Sequence, residues 1–158
     1  MRSLCAAVVA LFLVAILAQV AAAASPPKAT GGIQFYRNDD DGNQVKGWVE
    51  FQAHQMDADG AAKGSARYHD EQGNKLTIDI TCTAVWGDYA TFSGQAVSTN
   101  VDEWTDKWFV LWVHDGGSPG TNGDECGADV FDQDPGCVPG SMPREWSPVI
   151  GGNLVVHP

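Results

Sequence analysis

The stretch Lys75-Leu76-Thr77-Ile78-Asp79-Ile80-Thr81-Cys82-Thr83-Ala84-Val85-Trp86, then Gly87-Asp88, then Tyr89-Ala90-Thr91-Phe92-Ser93-Gly94-Gln95-Ala96-Val97-Ser98, reads as two strands joined by a turn. Leu76, Ile78, Ile80 and Cys82 fall at every second position, so in an extended chain they share one face. Thr77, Asp79 and Thr81 then face the other way. Gly87 and Asp88 tolerate positive φ, which a tight turn requires. Outward from this pair, the same alternation recurs in Gly32-Tyr36, Lys46-His54, Lys63-Asp70, Lys107-His114 and Asn153-His157. Asp41-Gly42, Asp59-Gly60 and Gln72-Gly73-Asn74 punctuate them. Short alternating segments separated by such turns predict an all-β fold, an antiparallel β-sandwich or partly closed barrel of about seven to nine strands. The expected core is Phe51, Tyr68, Ile78, Ile80, Cys82, Val85, Phe92, Phe109, Leu111 and Val113.

Thr99-Asp106 is the one stretch that reads as a helical turn. Trp104, Trp108 and Trp112 recur at four-residue intervals, but Phe109, Leu111 and Val113 alternate between them and favour a strand. Residues 115–148 read as a long irregular loop, a place where function often resides.

The start of the chain sets the compartment. Arg2, the apolar run Ala6 to Val20 and the small residues Ala21 to Ala24 have the pattern of a secretory signal peptide over 1–24. The run is short of the roughly 20 residues that span a bilayer. A flexible segment over 25–31 and a single β-domain over 32–158 are expected to follow, in a secreted, extracellular product. About 134 residues then remain of 158, enough for one domain with a real core. The leader takes one cation, Arg2, with it, so the formal charge of −11 becomes −12. Such acidity excludes nucleic acid and anionic membrane as partners, because both bind basic surfaces.

Three cysteines stay in the mature chain, Cys82, Cys126 and Cys137. An odd number outside the cell leaves one unpaired or linked to a partner. Cys126 and Cys137 bracket a loop rich in Gly, Asp and Pro and are expected to form the disulfide. Cys82, on the apolar face of its strand, is expected to be a buried thiol.

Several segments, taken in order, resemble the small secreted domains called post-COAP. They are Phe51-Gln52-Ala53, Lys63-Gly64 to Tyr68-His69-Asp70, Ile80 to Val85, Gly87, Ala90-Thr91-Phe92-Ser93-Gly94 and Phe109-Val110-Leu111-Trp112-Val113. His114-Asp115-Gly116-Gly117-Ser118-Pro119-Gly120 is similar to that family's Val-Xaa-Asp-Asn-Gly-Glu-Pro-Gly segment, and Gly151-Gly152-Asn153-Leu154-Val155-Val156-His157 to its Gly-Gly-Asn-Ile ending. The resemblance covers about residues 32–157. It implies an all-β domain of secreted and surface proteins, generally without an assigned activity, and it brings no catalytic residues. The chain departs from the pattern at Asp115-Gly116-Gly117-Ser118-Pro119 and in the long cysteine-bracketed stretch to Trp146.

The residues that bear chemistry form few convincing sets. Gly116-Gly117-Ser118-Pro119-Gly120 satisfies the Gly-Xaa-Ser-Xaa-Gly pattern, but a nucleophile elbow needs a helix right after the serine, which Pro119-Gly120 prevents. His54, His69, His114 and His157 lie on separate strands without zinc-ligand spacing. Asn38-Asp39-Asp40-Asp41-Gly42 and Asp57-Ala58-Asp59-Gly60 look like pieces of calcium loops, and Asp115, Asp124, Asp129 and Asp132 are the candidate calcium ligands in the long loop. The competing reading is solvated turn acids. Apart from calcium no cofactor is called for. Trp108 and Trp112, opposite in phase to Phe109, Leu111 and Val113, are the candidate ligand face, open to a glycan unless the long loop covers them.

Together these features predict a secreted, non-catalytic binding module for a carbohydrate or a secreted or surface protein. The alternatives are a structural component of a cell wall or matrix, and a small hydrolase. Convergence of His69, His114 and Asp115 in one pocket would favour the hydrolase.

Overall fold

The computed structural model describes residues 25–39, 41–57, 59–117 and 122–158; the leader over 1–24 therefore lies outside the described residues. Eight antiparallel strands follow one another as a meander: β1 (Lys28–Asn38), β2 (Gln44–Gln55), β3 (Ala61–Asp70), β4 (Lys75–Trp86), β5 (Tyr89–Thr99), β6 (Trp108–His114), β7 (Glu125–Phe131) and β8 (Ser147–His157). Each pairs with the next and β8 pairs with β1, so the sheet closes into a barrel. A 3₁₀ turn, Asp102–Trp104, stands where the sequence suggests a helical turn.

The expected alternation builds the interior. Phe51, Ile78, Ile80, Phe92, Phe109 and Val113 are buried in it with Ile33, Val49 and Leu154, while Tyr68, Val85 and Leu111 pack half-buried against them. Burying each large apolar side chain contributes about 1.5–3 kcal/mol.

Two boundaries are corrected. The segment over 25–31 is not a flexible lead-in, because β1 begins at Lys28 and its first residues pair with both β2 and β8. Nor is 115–148 one loop: β7 lies inside it and pairs with β6 from Glu125 to Phe131. Its alternation, Cys126, Ala128 and Val130, is too weakly apolar to stand out among Gly and Asp.

The seam of the barrel is between β7 and β8, which share only the pairs Glu125–Pro148 and Cys126–Ser147. Residues flanking β7 complete it. The Asp124 carbonyl accepts the Val149 N–H at 2.9 Å, and the Asp115 carboxylate accepts the Val156 N–H at 3.1 Å.

Three hairpin turns share one device. Asp39, Asp57 and Asp70 each use a single carboxylate oxygen to accept the N–H groups two and four residues ahead, at 2.7 to 3.1 Å. The third residue ahead is Gly42, Gly60 or Gly73, with φ of +81°, +90° and +89°. The aspartate closes the turn and the glycine supplies the left-handed residue that aligns the strands.

One irregularity decides the fate of Cys82. Ile80 lies opposite Gly94, but Cys82 lies opposite Ser93, so Thr81 is an extra residue in β4. A bulge of one residue reverses which side chains face inward. Beyond it Thr83, paired with Phe92, faces the interior, and Cys82 faces out.

Candidate functional site

The predicted disulfide is corrected. Cys82 is bonded to Cys137, with Cα atoms 5.8 Å apart, and Cys126 is the free, buried thiol. The physical reason is the bulge at Thr81, which turns Cys82 to the outer surface, where the segment after β7 crosses. Cys126 faces the interior opposite Val113, where burial pushes its pKa up to about 12 and Glu125 adds to the rise.

The bond fastens residues 132–146 to the outside of the barrel. Pro143 and the Glu145 carbonyl lie so close over Gly127 that a Cβ there would meet them at 2.6 and 2.8 Å. The Trp112 indole N–H donates to Ser141 Oγ at 3.0 Å, and Trp112 is 6% exposed. Val110 and the hydroxyls of Thr91 and Ser93 are buried as well. The Trp108–Trp112 face is therefore not open: Trp112 is covered, and Trp108 is half-buried.

The four candidate calcium ligands fall into two separate places. Asp129 and Asp132 lie toward the far end of β7, and Asp132 is ion-paired with Lys107. Asp115 and Asp124 flank the other end. Asp115 accepts the N–H groups of Gly117 and Val156, and Asp124 Oδ1 accepts the Gly116 N–H at 2.9 Å. Burial raises the Asp124 pKa, and the neighbouring Asp115 charge adds to this against the Gly116 hydrogen bond. Among the described residues no group of three or more His, Cys, Asp or Glu side chains is placed to hold a metal ion. Asp115 and Asp124 close a turn and the barrel seam.

The histidines are also dispersed. His114 stacks on Tyr89, with centroids 4.2 Å apart, in a row continued by Trp86. His69 is far from it, beside Lys75 at the opposite end of β4. His69, His114 and Asp115 thus do not share a pocket.

What the fold leaves uncovered is the outer face of β1 to β3, continued by residues 75–79 of β4 and 95–99 of β5. Val45, Val49 and Phe51 turn inward on β2, so Lys46, Trp48 and Glu50 turn outward. On β3 Arg67 and His69 do the same. Trp48 and His69 are directly opposite in the register and their rings stack, 5.0 Å between centroids and 4° from parallel. Lys46 Nζ lies 5.2 Å from the Trp48 centroid.

This stacked pair is a ridge between two grooves. On one side is a hollow of about 160 Å³ bounded by Gly32, Gln34, Trp48, Glu50 and His69. Gly32 leaves its floor without a side chain, since a Cβ there would touch only Glu50 Cγ, at 3.7 Å. On the other side an open groove of about 380 Å³ runs past Arg67, His69, Lys75, Thr77, Ser98 and Asn100. That volume lies within the range of small-ligand sites. The sequence carried a signal for this face: Trp48 is a large aromatic at a position whose phase is polar.

Comparison with protein-family models, with curated proteins and with solved structures finds no match to this chain.

Proposed function

We propose that the chain is a secreted, non-catalytic binding module whose ligand is a saccharide of a glycan or cell-surface polymer, held on the outer face of β1 to β5. The observation that carries this reading is the Trp48–His69 stack standing between two open grooves on strands that are fully paired. Aromatic rings offer the apolar faces of sugars a rigid surface, and flanking polar groups orient the hydroxyls. Gln34, Glu50, Arg67 and Ser98 are those groups here. A site on paired strands is pre-organised, so little ordering opposes binding.

Further features support it. The Cys82–Cys137 bond suits an oxidising compartment, in keeping with the leader-like sequence over 1–24. Among the described residues no helix is long and apolar enough to cross a membrane. The separation of His69 from His114 and Asp115 favours a module over a hydrolase. The resemblance to post-COAP domains points the same way.

The test is binding of the mature protein to a panel of insoluble and oligomeric polysaccharides, read by depletion and by tryptophan fluorescence. Trp48→Ala should abolish retention, and Gly32→Val, which fills the hollow beside Trp48, should weaken it. Retention unchanged in both variants would sink the proposal.

A further inference from the structure

The groove on the β3–β5 side of the ridge has an unusual charge for this molecule. The charge-bearing side chains along it are Arg67, His69 and Lys75, and no Asp or Glu lines it. The whole chain has 20 acidic residues against 9 Lys and Arg. Two of the other cations are ion-paired, Arg37 with Asp70 and Lys107 with Asp132. Among the described residues neither the Arg67 guanidinium nor the Lys75 ammonium has a hydrogen-bond or ion-pair partner, and the hydroxyls of Thr77 and Ser98 likewise have none.

The wall that presents them is held in place. Asn100 Oδ1 accepts the Lys75 N–H at 2.6 Å, its amide donates to the Gly73 carbonyl at 2.9 Å, and the Thr99 hydroxyl donates to the Lys75 carbonyl at 3.0 Å. Lys75 is opposite His69, and His69 opposite Trp48, on three neighbouring strands. At about 4.8 Å per strand the cation and the indole are rooted roughly 10 Å apart.

We infer that this face takes an acidic saccharide chain, one bearing uronate carboxylates at low density. It rests on the proposed saccharide-binding role of the Trp48–His69 ridge and adds the class of sugar. One ring stacks on the ridge while the carboxylate of a neighbouring ring is received by Lys75 and Arg67, whose N–H groups make charge-assisted hydrogen bonds. Charge density is limited by the rest of the protein. With a net charge of −11 the surface repels a densely sulfated chain, whereas a local cationic pair acts within a screening length of about 8 Å at physiological salt.

Titration calorimetry of the mature protein with an oligogalacturonate that is methyl-esterified at most of its rings, its fully methyl-esterified counterpart and a heparin-type sulfated oligosaccharide tests this. The acid should bind at least about tenfold more tightly than the ester, a difference of about 1.4 kcal/mol. Lys75→Gln, at an outward position, should remove most of that preference while leaving ester binding and the melting temperature unchanged, whereas Arg67→Gln should remove it and weaken ester binding as well. Trp48→Ala should abolish binding of acid and ester alike. Equal binding of acid and ester, unaltered in the Lys75 variant, would overturn the acidic-sugar inference and leave the saccharide module standing. Tighter binding of the sulfated chain would overturn the low-density assignment. Binding of none of the three, with no effect of Trp48→Ala on any polysaccharide, would overturn both.

Discussion

Cys137 is bonded to Cys82 across 55 residues of sequence, on the outward side of a strand whose apolar series points inward. The chain-entropy account of a cross-link closing a loop of that length gives about 4 kcal/mol of stabilisation. Cys82→Ser with Cys137→Ser should lower stability by about 2–4 kcal/mol and release residues 132–146 from Trp112. Denaturant unfolding would measure the first. A red shift and stronger acrylamide quenching of tryptophan emission would measure the second. Native alkylation should leave Cys126 unlabelled in both proteins, since its thiol is buried and its pKa is pushed up to about 12. A mapped peptide pair containing Cys126 would refute the pairing.

Asp70 anchors the β3–β4 turn and a polar cluster at the barrel rim. Its carboxylate accepts from Arg37 Nη2 at 2.7 Å, Tyr68 Oη at 2.9 Å and Asn74 Nδ2 at 3.0 Å. Burial alone would raise its pKa, but the hydrogen bonds from Arg37, Asn74 and Tyr68 hold it below the ordinary 3.8. A depressed folded-state value means that its stabilising contribution is complete above pH 3.8 and is lost as the pH falls through the lower folded value. Asp70→Asn should therefore cost about 1–3 kcal/mol at neutral pH. The gap between variant and parent should narrow in acid, as chemical denaturation at a series of pH values would show.

Asp124 behaves in the opposite sense. Its raised folded value makes its contribution most favourable below pH 3.8, and that contribution is lost as the pH rises through the raised value. Asp124→Asn keeps the acceptor for the Gly116 N–H and removes the buried charge. The variant should be no less stable than the parent at pH 7, and its advantage should shrink toward pH 4. A loss at pH 7 that exceeds the loss in acid would contradict this account.

Thr83 faces the interior because of the bulge at Thr81, is 0% exposed, and its hydroxyl has no partner. Thr83→Val keeps the shape and removes an unpaired buried polar group, so it should add about 1 kcal/mol of stability. A melting temperature equal to or below the parent's would indicate that the hydroxyl is satisfied in solution.

Two strand glycines should respond in opposite ways to alanine. At Gly64 an added Cβ would run into the Gln52 carbonyl, a backbone atom that cannot step aside, so Gly64→Ala should destabilise by about 1–3 kcal/mol. At Gly32 only the flexible Glu50 side chain is near, so Gly32→Ala should be neutral or stabilising by up to about 1 kcal/mol. Thermal melts of the pair would check the contrast.

Much of the barrel was legible locally. Lys75–Trp86 can be read from alternation alone, and each of the first four hairpin turns announces itself by an Asp-Gly, Gly-Asn or Gly-Asp pair, because strand period and turn geometry depend on residues near in sequence. β7 escaped because its apolar positions are Cys, Ala and Val among glycine and acid. The candidate site was legible only in part. Trp48 stands at a polar phase, but its stacking on His69 depends on register between strands, and the neighbouring tryptophans Trp108 and Trp112 offered an equally good pattern.

The amino-acid sequence by itself determined that the chain is all-β, which side chains alternate inward over most strands, and where the hairpins turn. Tertiary structure alone decided the partner of Cys82, the covering of Trp112 and the exposure of the Trp48–His69 ridge. The reason is physical. One extra residue at Thr81 reverses the facing of the residues beyond it in β4, and whether an outward face is open depends on where a segment 55 residues away is fastened.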